Sequence, residues 1–449
     1  MFDIGIIGAG PAGYTAAIRA SQLGLNVVLF EKNFVGGTCL NRGCIPTKTI
    51  LHCAEMYKEL KNASKYGIEA ENINFNFEKV WERQKTVSEK IRKSLMALIK
   101  SNEITVIEGK AEIIDAHNIK CAENNYEVKN IIIASGSKPN LINFNGNYDK
   151  EFILTSDEIL NIEKLPTSVL IVGSGAIGVE WARILSSFNV KVTVVEMMDK
   201  LVPPADIDIS DRLVRLFKKS RIDFYTSTTI EKIDGKTIYL SNGKIVEVDC
   251  ILLGAGRRIE TDFGELSKNL KIERFIEVDD NFRTNIDNIF AIGDVNGVSM
   301  LAHAASKQAE NVIDYIVSGK NHKFDKNVVP SVIYGTPEIA SVGKTEQQLM
   351  QEGLEYKKSF FPISALGKAY AEDKIEGFIK ILATNNEILG VHIISEEASA
   401  LVQQMAISMQ NKLSPKNVSA TIFAHPTYSE GILESLFALD NKAIHIPKQ

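Results

Sequence analysis

Two glycine turns constrain this chain more than any other feature: Gly8-Ala9-Gly10-Pro11-Ala12-Gly13 and Gly173-Ser174-Gly175-Ala176-Ile177-Gly178. Each follows a short apolar run, Ile4 to Ile7 or Ser168 to Val172, and each opens an amphipathic stretch. A second apolar run then ends on an acid, Asn26 to Phe30 before Glu31 and Val190 to Val195 before Glu196. Short apolar runs stopped by glycine read as buried parallel strands. A lone Gly-x-Gly-x-x-Gly is weak evidence, but strand, turn, helix, strand and an acid about 20 residues on form the full dinucleotide-binding fingerprint. The first glycine (Gly8, Gly173) permits the tight turn. The second (Gly10, Gly175) lets a pyrophosphate reach the backbone, and the third (Gly13, Gly178) lets helix and strand pack closely. The phosphates then meet the free N–H groups of a helix start, here including Ala176 and Ile177. The expected fold class is α/β, with two Rossmann-like dinucleotide-binding domains in series.

Glu31 and Glu196 are placed to accept hydrogen bonds from ribose hydroxyls. Met197, Met198 and Asp199 follow Glu196, with no arginine to clasp a 2′-phosphate and Lys200 as the only nearby cation. A carboxylate there repels NADP, so the second unit is expected to take NAD.

The remaining pattern fills in the architecture. Residues from about 53 to 101 read as largely helical, and alternating segments between Ile104 and Val128 read as antiparallel strands. Asn130 to Ala134 is a buried strand closing on Ser135-Gly136-Ser137, and Asp249 to Leu253 closes the second unit on Gly254-Ala255-Gly256. Another buried strand, Ile289 to Ile292, stops at Gly293-Asp294. After about Asn327 the character changes. Strands at Val329 to Tyr334, Phe378 to Leu382 and Ile388 to Ile394, with a helix from Ala398 to Gln410, suggest a C-terminal α+β domain. The expected boundaries are 1–140, 141–258, 259–327 and 328–449. A chain of 449 residues exceeds a single core.

Charge and cysteine content narrow the class. A net charge of −5 without a dense Lys/Arg block argues against nucleic-acid binding. No run approaches the roughly 18 apolar residues of a membrane span. Met1-Phe2-Asp3 leads straight into a strand with no signal-peptide pattern, so a cytoplasmic location is expected. Five cysteines are too few and too scattered for a secreted disulfide framework, and no zinc-like spacing of Cys and His occurs, so no metal is expected.

Two of those cysteines, Cys39 and Cys44, lie in Gly36-Gly37-Thr38-Cys39-Leu40-Asn41-Arg42-Gly43-Cys44-Ile45-Pro46-Thr47-Lys48, just after the first glycine turn. Five residues of straight helix span about 7.5 Å, beyond the roughly 7 Å reach of a disulfide. The segment therefore cannot be a regular helix when the pair is oxidised, and Gly43 is placed to bend it. A strained short-loop disulfide is also easily reduced, as catalysis requires.

This run resembles the dihydrolipoamide dehydrogenase branch of the pyridine nucleotide–disulfide oxidoreductases, from Asp3 to about Phe437. The resemblance implies FAD on the first unit and NAD on the second, with a C-terminal dimerisation domain. It implies flavin contacts at Gly8, Gly10, Gly13, Glu31, Lys48, Ala111, Ser135, Gly136, Ser137, Asp294 and the Ala302 amide, and nicotinamide-nucleotide contacts reaching Gly256. In this pattern Cys39 exchanges with the substrate disulfide, and Cys44 lies against the flavin as a charge-transfer thiolate. Lys48 sits near the flavin ring, paired with Glu180, and His303 is structural.

Near the C-terminus stands Ala424-His425-Pro426-Thr427-Tyr428-Ser429-Glu430. Thiol–disulfide exchange needs a base to form the attacking thiolate and an acid for the departing one, and histidine serves both. Glu430 would hold the ring in one tautomer. The motif resembles the family's His-Pro-Thr-x-x-Glu, in which the histidine comes from the second subunit, implying a homodimer with shared active sites. Departures from the pattern are Phe423 where a His is usual, Gly335 where Thr is commoner, and Ser135 where Thr is commoner.

The implied activity is FAD-dependent oxidation of protein-bound dihydrolipoamide with reduction of NAD. The partner would be a lipoyl-carrying acyltransferase or glycine-cleavage carrier protein. Glutathione-type reductases use NADPH, which Glu196 opposes. Mercuric reductases add a C-terminal cysteine pair, absent after Cys250. A mainly scaffolding role as a docked flavoprotein subunit would suit an incomplete dithiol, and this one is complete.

Overall fold

The computed structural model describes residues 1–447. The strand Phe2–Ile7 pairs in parallel with Val27–Glu31 on one side and with the C-terminal half of Asn124–Ile133 on the other. Thr105–Glu108 extends the parallel sheet beyond Val27–Glu31, and Ile289–Ala291 adds beside Asn124–Ile133. Val27 to Phe30 and Ile131 to Ile133 are buried runs, as strands covered on both faces must be. The helix Pro11–Gln22 starts with a proline, whose missing N–H would have no helical partner anyway. It buries Ala12, Ala16, Ala17 and Ala20, a row of small side chains that lets it sit close to its neighbours.

Asn118–Cys121 and Ala111–Ile113 form the expected antiparallel branch on the first half of Asn124–Ile133. Thr105–Glu108 departs from that expectation by joining the parallel sheet. The helical stretch expected from about 53 to 101 is interrupted. One helix ends at Lys61, a short 3₁₀ turn closes on left-handed Gly67, and a new helix runs Phe77–Ser101. Asn76 starts that helix by accepting the Lys79 N–H on its side chain, which a continuous helix would not need.

The second unit repeats the scheme. Its parallel sheet runs Asp223–Tyr225, Lys191–Val195, Ser168–Val172, Cys250–Leu253, Ile153–Thr155, with the helix Ala176–Ser187 following the glycine turn. The C-terminal part is a five-stranded antiparallel sheet in the order Ser331–Ile333, Glu338–Gly343, Ile388–Ser395, Phe378–Ala383, Lys357–Pro362. The helices Ala398–Gln410 and Glu430–Ala438 share its core through Leu401, Met405, Ile432 and Leu436.

A buried charge cluster pins this sheet to the second unit. The fully buried Lys380 ammonium lies 2.7 Å from Asp206, 2.6 Å from Asp208 and 2.6 Å from Glu346. Asp206 also starts the helix Ile207–Lys219 by accepting the Asp208 N–H. Burial pushes the Lys380 pKa down, but the three carboxylates outweigh it and hold the group charged. Removing one partner from such a buried set leaves an uncompensated charge and costs several kcal/mol.

Candidate active site

Gly43 breaks the cysteine segment where the spacing requires it. The helix Gly37–Arg42 ends, Gly43 takes φ −138° and ψ −107°, and the helix Cys44–Lys61 begins. A side chain at Gly43 would bring its Cβ 3.0 Å from the Thr38 carbonyl oxygen. The two cysteines are free, not disulfide-bonded, in this structure. Their side chains share a hydrogen bond, which divides their acidities. The Cys44 thiol is pulled down to about 7 by the Cys39 hydrogen bond and the Lys48 charge, against the opposing effect of burial. The same hydrogen bond, together with burial, pushes Cys39 well up. Of the two, Cys44 is the one that gives up its proton more readily.

The dithiol lies back to back with the first glycine turn. The Gly36 N–H donates to the Ala9 carbonyl at 2.8 Å, and a Cβ on Gly37 would fall 2.6 Å from the Gly10 Cα. Within each turn the third glycine packs on the first. A Cβ at Gly13 would lie 1.8 Å from the Gly8 oxygen, and one at Gly178 would lie 2.0 Å from the Gly173 oxygen. The second glycines are less crowded: a Cβ at Gly10 would only touch the Gly37 Cα at 3.8 Å, and Gly175 has nothing within 4 Å of where a Cβ would stand. That free space over a helix start, flanked by Ala176 and Ile177, suits a pyrophosphate.

The two acids do matching work. Glu31 accepts the Ala9 N–H through Oε2 and the Asn33 N–H through Oε1, both at 2.8 Å. Glu196 accepts both the N–H and the hydroxyl of Ser174 through Oε2 at 2.8 Å, and the Met198 N–H through Oε1 at 3.0 Å. Each carboxylate thus braces its own turn, and its remaining lone pairs are what a ribose could use. Gly109 ties the start of the Ala111 strand to Glu31 by donating to the Glu31 carbonyl at 2.8 Å.

Ser135-Gly136-Ser137 and Asp294 come together across the first sheet. Ser137 Oγ donates to Asp294 Oδ2. Arg257, next to Gly256, donates from Nε to Ser137 Oγ and from Nη2 to the Ser137 carbonyl, each at 2.7 Å. Ala302 opens the helix Ala302–Ser318. His303 Nε2 lies within hydrogen-bonding distance of the Pro330 carbonyl, at 2.8 Å.

Lys48 stands one helical turn beyond Cys44. Its ammonium lies 2.8 and 2.7 Å from the two oxygens of Glu180, itself buried on the helix Ala176–Ser187. Tyr334 completes the arrangement: its N–H donates to Glu180 Oε1 at 3.1 Å, and its ring lies 4.6 Å beneath the Lys48 ammonium. Three parts of the fold therefore meet at one ion pair beside the dithiol.

His425 and Glu430 form the expected pair, with Nδ1 2.8 Å from Oε1. Thr427 N–H donates to Oε2 at 2.9 Å, and the Thr427 hydroxyl donates to the Ala424 carbonyl at 2.8 Å. Burial pushes the Glu430 carboxyl upward, but the His425 and Thr427 hydrogen bonds hold it below its ordinary value. Since a carboxylate only accepts, Nδ1 donates and the neutral ring presents Nε2 as its base. The imidazole is 76% exposed in the single chain, so its own chain leaves most of the ring uncovered.

Residues 2–309 match the family model described as pyridine nucleotide-disulphide oxidoreductase, and residues 329–436 match that family's dimerisation domain. The chain belongs to the pyridine nucleotide-disulphide oxidoreductase family. It is 36% identical to a dihydrolipoyl dehydrogenase of Bacillus subtilis, covering 99% of each chain. It is also 36% identical to a protein of the same name from Chlamydia trachomatis, over 99% of this chain and 98% of the relative. Among solved structures it is similar to the HOCl-induced flavoprotein disulfide reductase RclA of Escherichia coli, at 26% identity and a TM-score of 0.85, covering 97% and 99% of the two chains. The Mycobacterium tuberculosis LpdA structure shares the fold at a TM-score of 0.90 and 24% identity, over 97% and 99%.

Within this oxidoreductase frame the departures have local reasons. Phe423 packs against the core of the C-terminal sheet. Gly335, at φ +145°, makes room for Arg183: a Cβ there would lie 2.4 Å from Nη1 and 2.7 Å from Cδ. Arg183 is half-buried and donates through Nη1 to the Pro337 carbonyl at 2.7 Å. Arg183, Arg257 and Tyr334 escaped the sequence reading. The Gly335 departure was the one signal for Arg183, while Tyr334 acts through its backbone, which no residue type announces.

Proposed function

We propose that this chain oxidises protein-bound dihydrolipoamide to lipoamide and passes the electron pair to NAD, with FAD as the resident cofactor. The carrying observation is the Cys39–Cys44 pair, split in acidity and set directly against the first glycine turn. Relatives at 36% identity over nearly the whole chain bear the name dihydrolipoyl dehydrogenase, which supports the same substrate. Gly8, Gly10, Gly13, Glu31, Lys48, Ala111, Ser135, Gly136, Ser137, Asp294 and Ala302 would hold the flavin. Gly173, Gly175, Ala176, Ile177, Gly178, Glu196 and Gly256 would hold NAD. When bound, the flavin supplies two-electron transfer between dithiol and nicotinamide.

The roles follow from the geometry. His425 takes a proton from a substrate thiol at Nε2, with Glu430 fixing the ring and supporting its positive charge. The substrate thiolate attacks Cys39, whose sulfur is the one able to carry a proton afterwards. Cys44 leaves as a thiolate, stabilised by its helix N-terminus and by Lys48. Glu180 aims the Lys48 ammonium and limits its freedom. The exposure of His425 suits an active site completed between subunits, with the partner subunit's His425 serving the dithiol. The reading includes a homodimer, a lipoyl-bearing carrier protein as electron donor, a cytoplasmic location, and domain limits at 140, 258 and 327.

Anaerobic titration with dihydrolipoamide tests the reading. Two-electron reduction should raise a long-wavelength absorbance band from a thiolate beside flavin, and added NAD should reverse it. Reduction by glutathione but not by dihydrolipoamide would overturn the substrate assignment.

A further inference from the structure

His425 stands in a turn that is tied to the rest of the chain by its own neighbours. Thr427 ties the turn to itself, through the Ala424 carbonyl and Glu430 Oε2. Tyr428 reaches further. Its ring is fully buried in the core of the C-terminal sheet, and its hydroxyl donates to Glu372 Oε2 at 3.1 Å. Burial and the Glu372 carboxylate push the Tyr428 pKa up, so the hydroxyl keeps its proton. A tyrosine held at both ends, ring in the core and hydroxyl on a partner, is fixed in place. Ser429 adds a second tether by accepting from Gln404 Nε2 at 2.8 Å.

Glu372 belongs to a hub of three consecutive residues. Its carbonyl accepts the Tyr66 hydroxyl at 3.2 Å, and its carboxylate meets the Lys368 ammonium at 2.6 Å. Asp373, at φ +53°, lies 2.7 Å from Lys65. Lys374 lies 2.6 Å from Glu59 and 3.2 Å from Glu396. Glu59 is on the last turn of the helix Cys44–Lys61, and Lys65 and Tyr66 lie in the 3₁₀ turn after it. That helix starts at the dithiol and is 18 residues long, about 27 Å along its axis. The histidine turn is therefore seated on the far end of the helix whose near end carries Cys44. A single exposed ion pair such as Lys65–Asp373 holds little energy, but three neighbouring residues anchored at once fix the backbone between them.

In the proposed reaction the imidazole serves the dithiol of the other subunit, so its place must be set from within its own chain. Glu430 fixes how the ring is turned, and the seat of the turn fixes where Nε2 stands. A general base works only within hydrogen-bond reach of the proton it takes, and a misplacement of about 1 Å can cost roughly 10²-fold. We propose that Tyr428, through its bond to Glu372, is a positioning residue that sets where the His425 imidazole meets the substrate thiol. Being fully buried, Tyr428 touches no substrate and acts through His425. Its role rests on the dihydrolipoamide reading above.

Tyr428→Phe removes the hydroxyl alone, Glu372→Leu removes its acceptor, and Glu372→Gln keeps an acceptor oxygen. Stopped-flow measurement of the two half-reactions tests the role, with flavin content and melting temperature recorded for each variant. Tyr428→Phe should slow dihydrolipoamide oxidation about three- to tenfold, short of the loss of the base itself, about 10²-fold or more. Glu372→Leu should do the same, and the double variant should be no slower than either, because both remove one bond. Glu372→Gln should keep most of the wild-type rate. NADH-driven flavin reduction should hold its rate in all these variants. In the pH profile of Tyr428→Phe the plateau should fall while the midpoint stays, because Glu430 still sets the basicity of the ring. An unchanged dihydrolipoamide rate in Tyr428→Phe, equal slowing of both half-reactions, a shifted midpoint, or losses that multiply in the double variant would overturn the positioning role. Wild-type protein that holds FAD yet fails to turn over dihydrolipoamide would instead overturn the underlying reading.

Discussion

The Arg183 guanidinium occupies the space that a side chain at Gly335 would need, with Nη1 2.4 Å from the position of the missing Cβ. Arg183 lies one turn from Glu180 on the same helix, and Gly335 follows the Tyr334 whose N–H braces Glu180. The glycine and the arginine thus form one packing unit beside the Lys48–Glu180 pair. Gly335→Thr should cost about 1–3 kcal/mol from overpacking and from a strained left-handed backbone. Thermal unfolding of Gly335→Thr, Arg183→Ser and the double variant checks this. The double variant should be more stable than the sum of the single losses, by about 1 kcal/mol or more, because removing the guanidinium relieves the clash.

The Cys44 acidity gives a direct pH prediction. Its thiol lies at about 7, below the ordinary value of 9.0. A lowered thiol pKa contributes stability to the reduced protein that is present above the unfolded pKa and is lost as pH falls through about 7. Thiolate absorbance of the reduced protein should therefore titrate with a midpoint near 7, and Cys44→Ser should remove that step. Lys48→Met takes away the charge that helps depress it, so the midpoint should rise. A midpoint near 9 in the unmutated protein would contradict the assignment of Cys44 as the thiolate.

The acid–base assignment separates two half-reactions. His425→Gln should slow dihydrolipoamide oxidation by about 10²- to 10⁴-fold, the usual contribution of a general base. NADH-driven flavin reduction needs no thiol deprotonation and should keep its rate. Stopped-flow measurement of both half-reactions decides the matter, since equal slowing would mean that His425 acts on the fold rather than on the proton.

Local chemistry was legible in the sequence wherever a residue type was the only one able to do the job. Gly43 had to bend the cysteine segment, and Glu31 and Glu196 had to end their strands. Their outcomes differ in one respect: both acids also brace their own turns through backbone N–H groups, and backbone partners leave no trace in residue identity. Tertiary meetings were less legible. Arg257 reaches Ser137 across 120 positions, and Lys380 meets Asp206 across 174. Neither lysine nor arginine at such a site differs in sequence from a solvated surface charge. The break between Lys61 and Phe77 was missed because the charged and apolar residues on both sides keep helical spacing, so only Gly67 and the Asn76 cap marked it.

In the proposed function, specificity for NAD rests on Glu196, whose contacts decide which variant can test it. Replacing Glu196 with arginine would place a long cation where a buried carboxylate holds Ser174 and Met198, so instability would mask any change in preference. Leaving the buried Ser174 N–H without an acceptor alone costs about 1–3 kcal/mol. Glu196→Gln keeps the shape and one acceptor oxygen, removes the negative charge, and turns the other oxygen into an NH₂ donor. If repulsion of the 2′-phosphate sets the preference, the NADPH/NADH ratio of kcat/KM should rise about tenfold, equivalent to roughly 1.4 kcal/mol. Thermal stability should fall modestly, because the amide also brings donors toward donors. An unchanged ratio together with a lowered melting temperature would make Glu196 a brace of the second turn and nothing more, and would move cofactor selection to residues beyond it.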